Sequence, residues 1–323
     1  MSSQPSRPGL ETDLRRGLLD GYELGNRYTV VSNYQGNRGL NGTRFRRQAG
    51  SSMEFLEHRD YHPGDDLRHV DWSVMAKREM VYIKCYEQES TPVLDIVIDH
   101  SRSMCLRDMD EDQKSTKGRS VLKLLGALYA AARSAHFHVK IWLAGSGVGP
   151  AESRTAVQGG CHLFPIPGGH PGSWPIPDFS SEQTLGEAFL ERPPSFRPNG
   201  YRMLISDFLF DADPAPITQQ MAQNSQRCVM IQMLNQSDQS PPEHGSLRVI
   251  DSETGETRNV YIDSQLQRQY AQTLENHQAK WHESASRNGC LFVPLTAENV
   301  QSRDSLRELE ELQIISSSKA ATP

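Results

Sequence analysis

The stretch Val93-Leu94-Asp95-Ile96-Val97-Ile98-Asp99-His100-Ser101-Arg102-Ser103-Met104 constrains the fold more than any other. Its first half is a short apolar run rich in Val and Ile, the pattern of a buried strand. Its second half sets oxygen-bearing side chains on alternate residues, Asp99-x-Ser101-x-Ser103. In an open α/β sheet, ligands collect at the carboxyl ends of strands, where strand order reverses. A carboxylate there, followed by two hydroxyls, offers hard oxygen donors suited to Mg²⁺ or Mn²⁺ and poorly suited to softer metals. The same residue types also cap helices and close turns. The metal reading therefore leans on the preceding strand and on further oxygen donors downstream.

The surrounding pattern predicts alternating strands and helices. Val121, Leu124, Leu125, Leu128, Tyr129 and Ala132 recur at helical spacing, so a helix with an apolar stripe follows the Asp99 loop. Residues 137–144 alternate as the next strand. A strand, helix and strand without a tight hairpin imply a right-handed parallel crossover. Helices are expected over 185–192, 215–225, 264–287 and 302–312, and strands over 202–207, 228–234 and 290–293. A small hairpin is expected over 247–262. Upstream, residues 10–24 read as a short helix with Leu10, Leu14, Leu18 and Leu19 on one face, and 27–32 as a strand. Residues 145–180 are punctuated by Gly and Pro and read as a long loop leading to Thr184. The resulting expectation is an α/β chain with a doubly wound, mostly parallel sheet and a smaller β-rich N-terminal segment. Its divisions are a tail and short helix at 1–26, the β-rich segment at 27–90, the main domain at 91–315 and a disordered tail at 316–323.

Composition narrows the function classes. A net charge of −6 argues against a general nucleic-acid binder, although residues 36–47 form a Gly- and Arg-rich stretch. The five cysteines, at 85, 105, 161, 228 and 290, form no C-x-x-C pair, as expected of free thiols in a reducing compartment. No apolar run approaches the roughly 18 residues of a membrane span, and the polar N-terminus lacks an apolar signal segment. The expected location is the cytoplasm.

Asp99-x-Ser101-x-Ser103 after a strand resembles the metal-ion-dependent adhesion site of von Willebrand factor A-like domains. That resemblance implies two more donors. Thr184, in Ser181-Glu182-Gln183-Thr184-Leu185, stands for the Thr that precedes a helix, with Glu182-Gln183 where the family has Gly-Gly. Asp207, in Ile205-Ser206-Asp207, stands for the late Asp. A Mg²⁺ or Mn²⁺ ion held by Asp99, Ser101, Ser103, Thr184 and Asp207 would keep a coordination position for a partner's carboxylate. His100 and Arg102 flank these donors, and Arg102 would steer an acidic partner.

A second resemblance lies just upstream. Arg59-x-Tyr61-x-Pro63-Gly64-Asp65-Asp66-x-Arg68-x-x-Asp71-Trp72, then Ala76-Lys77 and Tyr86-Glu87-Gln88-Glu89, is similar to the signature of the bacterial domain of unknown function 58 family. There too the signature precedes the D-x-S-x-S strand. Many members carry transmembrane helices before the signature, and this chain resembles the soluble subset. The resemblance implies a protein-binding role, as an adaptor or chaperone-like partner of a MoxR-type AAA+ ATPase, and no catalysis. The rival readings are a Mg²⁺-dependent phosphoryl-transfer or hydrolytic enzyme using Asp99, or a scaffold with an empty site. Against the enzyme stand Ser101, where phosphoaspartate-type hydrolases carry a second Asp, and the lack of a P-loop or Gly-x-Ser-x-Gly elbow.

Overall fold

The computed structural model describes residues 8–32, 53–63, 65–78, 80–88, 91–106, 116–148, 156–157, 159–167, 170–240, 245–252, 255–303 and 305–318. The basic stretch at 36–47 and most of the charged stretch at 107–117 lie outside them. Two compact units result, one of residues 1–31 with 93–323 and one of residues 32–92.

In the larger unit, six strands form a sheet in the order Cys290–Thr296, Ser225–Leu234, Gly200–Ser206, Val93–Asp99, His138–Ala144, Cys161–Phe164. All neighbours are parallel except the last pair. The sheet is thus mixed α/β and mostly parallel. From the central Val93–Asp99 strand the chain crosses to one side, to His138–Ala144. It later returns to the other side, at Gly200–Ser206. Strand order therefore reverses at the central strand, which places its carboxyl end at a topological switch point.

Strand alternation divides the core between two faces. Leu94, Ile96 and Ile98 join a cluster with Val121, Leu124 and Leu128 of the Thr116–Ser134 helix and Leu14 and Leu18 of the N-terminal helix. Val97 and Leu204 face the other way, toward Ile217 and Met221 of the Pro214–Ala222 helix and Trp281 and Ala285 of the Ser264–Arg287 helix. Among the described residues no helix is long and apolar enough to cross a membrane.

Several elements depart from the expected bounds. The N-terminal helix runs from Pro8 to Gly25 and packs along the Thr116–Ser134 helix. The strand near residue 28 is Tyr28–Val30, and it pairs antiparallel with Ile315–Ser317, so the chain's last described segment is tied into the larger unit. The expected helix over 302–312 is two short helices, Ala297–Ser302 and Arg307–Glu311. The Gly- and Pro-rich segment supplies the antiparallel edge strand, Cys161–Phe164, and buries Trp174 against Tyr129 with ring centroids 4.5 Å apart.

The smaller unit is a hairpin of Met53–Asp60 and Tyr82–Gln88 with the helix Trp72–Arg78 between. The alternating charges of the signature pair within it. Arg59 meets Asp65, Arg68 meets Asp66, and Asp71 meets His58 and Lys84. Asp71 also accepts from the backbone N–H groups of Ser73 and Val74 and so caps the helix. The His58 hydrogen bond leads the effects that hold the Asp71 carboxyl down to about 2, with burial opposing it. A carboxyl so depressed contributes stability that is full above its unfolded value of 3.8 and lost as pH falls through about 2. An NMR titration of the Asp71 carboxyl carbon is expected to show ionisation persisting to about pH 2. A midpoint near 4 would mean that these partners are not engaged in solution.

Candidate functional site

Asp99 ends the central strand and is 1% exposed. Its Oδ1 accepts from the Ser101 backbone N–H at 2.9 Å, and its Oδ2 accepts from the Ser206 hydroxyl at 2.6 Å. These bonds fix both oxygens between the loop that follows one strand and the last residue of the neighbouring strand. Ser101 opens a short 3-10 turn, Arg102–Cys105, that folds Ser103 back. The Ser101 and Ser103 hydroxyls are hydrogen-bonded to each other, with their oxygens 3.0 Å apart.

Asp207 follows the adjacent strand and is also 1% exposed. A strained turn presents it. Phe208 has φ 55°, an unusual conformation for a bulky residue. Phe208 is locked there by its N–H on the Ser206 hydroxyl, by its carbonyl on His277 Nε2 at 2.6 Å, and by packing on Trp281. Asp207 Oδ1 accepts from the Leu209 N–H, and Gln232 donates to the Asp207 carbonyl. Burial first, and the Asp207 charge second, push the Asp99 carboxyl up to about 6. Asp99 and Asp207 therefore sense each other as two buried acids at one sheet edge.

The Asp207 side chain has a further partner that the sequence did not suggest. Lys117, 2% exposed, reaches from the first turn of the Thr116–Ser134 helix. Its Nζ lies 3.1 Å from Asp207 Oδ2 and 2.7 Å from Asp238 Oδ2. Burial pulls the Lys117 amine down, but the two carboxylates outweigh it and hold it above the ordinary lysine value. Ser206 and Asp238 were missed with it. Ser206 is visible only as the hydroxyl before Asp207. Asp238 lies in an Asn235–Asp238 capping box that carries no sign of a distant lysine.

The expected residues divide. Asp99, Ser101, Ser103 and Asp207 gather at the carboxyl ends of two adjacent strands. Thr184 does not join them through its hydroxyl. That hydroxyl donates to Glu187 Oε2 and accepts from the Glu187 N–H, in a capping box that starts the Leu185–Glu191 helix. In that loop it is Ser181 that forms a backbone bridge to Ser101, and its hydroxyl accepts from the Ser146 and Gln183 N–H groups and donates to the Gln183 carbonyl. His100, expected on the partner surface, is 4% exposed. Its Nε2 lies 2.7 Å from Asp178 Oδ1, and its backbone carbonyl accepts from Ser181. It fastens the long Gly- and Pro-rich segment to the Asp99 loop and has no face to offer a partner. Arg102 is on the rim, 41% exposed along its side chain, with Glu182 at 2.6 Å.

The donor set is two carboxylates and two hydroxyls. Among the described residues no three His, Cys, Asp or Glu side chains gather as a metal cluster, so a cation here would depend on the serines. The hydroxyl spacing suits that. Adjacent corners of an octahedron with metal–oxygen bonds of about 2.1 Å lie about 3 Å apart. Two acids buried together also favour any cation that relieves their repulsion. The residues present fit a small hard divalent ion, with Lys117 as the feature that does not belong to such a set.

The chain is thus an α/β protein with a mostly parallel sheet and a buried acid pair at the switch point. The chain matches the family described as "Protein of unknown function DUF58" over residues 57–145 and 183–280, and it belongs to that family. No curated protein matches it. Among solved structures it is similar to the conserved hypothetical protein BatB from Bacteroides thetaiotaomicron, at 12% identity. That likeness covers 68% of this chain and 98% of that one, with a TM-score of 0.31. It is also similar to an aerotolerance-related membrane protein from Bacteroides fragilis, at 12% identity over 68% of this chain and 99% of that one, with a TM-score of 0.36.

Proposed function

We propose that the chain is a metal-dependent protein-binding module of von Willebrand factor A-like, doubly wound fold, and that it acts by binding and not by catalysis. The observation that carries this reading is the convergence of Asp99 and Asp207 with two hydroxyls 3.0 Å apart at one sheet edge. Asp99, Ser101, Ser103 and Asp207 would hold Mg²⁺ or Mn²⁺. Such an ion, when bound, would supply a Lewis-acidic position for a partner's Glu or Asp. The protein's own residues prepare that position. Ser206 and the Ser101 N–H orient Asp99, the Phe208 turn orients Asp207, and the neutral serine hydroxyls leave the ion electron-poor. Arg102 on the rim attracts an acidic partner and exchanges Glu182 for it. By family resemblance the partner is a MoxR-type AAA+ ATPase in the cytoplasm, with this chain as adaptor or chaperone-like helper.

Calorimetric titration with Mn²⁺ tests the site. One-site heat is expected for the wild type and none for Ser101→Ala/Ser103→Ala. Identical heats in the two proteins would remove the serines from any metal site. Partner capture is tested by pull-down of the MoxR-type ATPase with Mg²⁺ and with chelator. Equal recovery in both would exclude a metal clasp.

A further inference from the structure

The Lys117 ammonium sits where an incoming cation would have its second carboxylate. We propose that Lys117 is a resident counter-cation of the site, bridging Asp207 and Asp238, which a divalent ion must loosen from Asp207 in order to bind. This rests on the metal-binding reading and adds a regulatory element to it.

The geometry sets up a two-acceptor track. Lys117 Nζ is nearer to Asp238, at 2.7 Å, than to Asp207, at 3.1 Å. Asp238 is itself held in place. Its Oδ2 accepts from the Asn235 N–H, and its carbonyl accepts from the Tyr270 hydroxyl at 2.5 Å. A lysine amine has three donors on a flexible stem and can shift its weight between acceptors without leaving the site. With the ammonium on both acids, the Asp99–Asp207 pair carries one cation already, and a metal ion meets a like charge. With the ammonium on Asp238 alone, both Asp207 oxygens face the site with only the Leu209 N–H as competitor. The lysine is anchored for this role. Next to it, Gly118 faces Cys105 Sγ, which a Cβ would approach to 2.7 Å, so the helix start is seated directly on the turn that carries Ser103.

The charge logic makes opposite predictions for two neighbours. Lys117→Met keeps the stem length and removes the charge. Asp238→Asn removes the alternative acceptor and leaves the ammonium to Asp207. Mn²⁺ titration of the full chain, with metal-induced thermal shift as the second readout, separates them. Lys117→Met is expected to bind Mn²⁺ at least tenfold more tightly than wild type. It should start from a lower melting temperature in chelator, since the buried Asp207 and the half-buried Asp238 lose their partner, and regain more of it with Mn²⁺. Asp238→Asn is expected to bind severalfold more weakly than wild type. A folded Lys117→Met protein with unchanged or weaker affinity would overturn the proposal. Should Lys117→Met not fold, unchanged affinity in Asp238→Asn would overturn it equally. Wild-type binding that disappears in Ser101→Ala/Ser103→Ala, yet is untouched by both new variants, would defeat the lysine role alone. An absence of Mn²⁺ binding in every protein would defeat the metal reading, and the lysine role with it.

Discussion

Replacing Gly21 with leucine is expected to loosen the N-terminal helix from the larger unit and lower its melting temperature by roughly 5 °C or more. The reason is the distance between two helix backbones. A Cβ at Gly21 would lie 1.8 Å from the Lys123 carbonyl oxygen, and one at Gly25 would lie 2.3 Å from that of Ala127. From the opposite helix, a Cβ at Gly126 would lie 2.2 Å from the Leu18 carbonyl oxygen. These obstacles are backbone atoms, which cannot rotate away as a side-chain tip does. Either the helices separate and give up the burial of Leu14, Leu18 and Leu24, or the backbone bends. Overpacking of this kind costs about 3 kcal/mol, and more where backbone must move. The exposed neighbour Arg16→Ala is the control, because it changes the same helix without touching the contact. Equal melting temperatures for the two variants would show that the helix is not docked in this way. The contact also bears on the site. The helix clasped by Gly21 is the one whose first turn carries Lys117, so a loosened clasp should release the lysine before the sheet unfolds.

How much of this was readable in advance depends on whether the cause is local. The central strand was legible because a fully buried parallel strand is mostly apolar, and Val93, Leu94, Ile96, Val97 and Ile98 supply such a run around the buried Asp95, with burial at every position of Val93–Asp99. Asp207 was legible because it ends a run of the same kind. Thr184 was read as a metal donor, and the sequence also held the role that its hydroxyl takes in the structure. Thr184-Leu185-Gly186-Glu187 is a T-x-x-E capping box, and helix starts need such a box whether or not a metal is near. The Gly17, Gly21 and Gly25 spacing was likewise printed in the chain. Three glycines one turn apart in a helix are unfavourable unless something must come close. Other features had no local trace. Lys117 stood at the end of a charged stretch and became a buried residue only through Asp207 and Asp238, 90 or more positions away. The edge strand Cys161–Phe164 is short and set among Gly and Pro, and it exists because His138–Ala144 offers it an antiparallel edge.

Asp99→Asn is expected to stabilise the metal-free protein at neutral and higher pH and to abolish its stabilisation by metal. The sign follows from the raised acid. Asp99 has a folded value near 6 against 3.8 in the unfolded chain, because burial and the Asp207 charge disfavour its ionised form. Stability from this group is therefore fully present below 3.8 and lost as pH rises through about 6. The span amounts to about 3 kcal/mol at pH 8. An asparagine carries no charge to bury; its amide oxygen can still accept from the Ser101 N–H, while its NH2 takes the place of Oδ2 and faces the Ser206 hydroxyl, which can turn to accept. In chelator, then, the variant should exceed wild type by about that amount at pH 8 and match it near pH 4, as denaturant unfolding would measure. Adding Mn²⁺ at pH 8 should close most of that gap at a hundred times its dissociation constant and reverse the order at about a thousand times, where the gain is about 4.1 kcal/mol. A ligand at a hundred times its dissociation constant adds about 2.7 kcal/mol to the wild type, and the variant has lost the carboxylate that would earn it. A variant less stable than wild type in chelator at pH 8 would mean that Lys117 and the loop N–H groups already compensate the Asp99 charge, leaving no electrostatic demand for a metal ion.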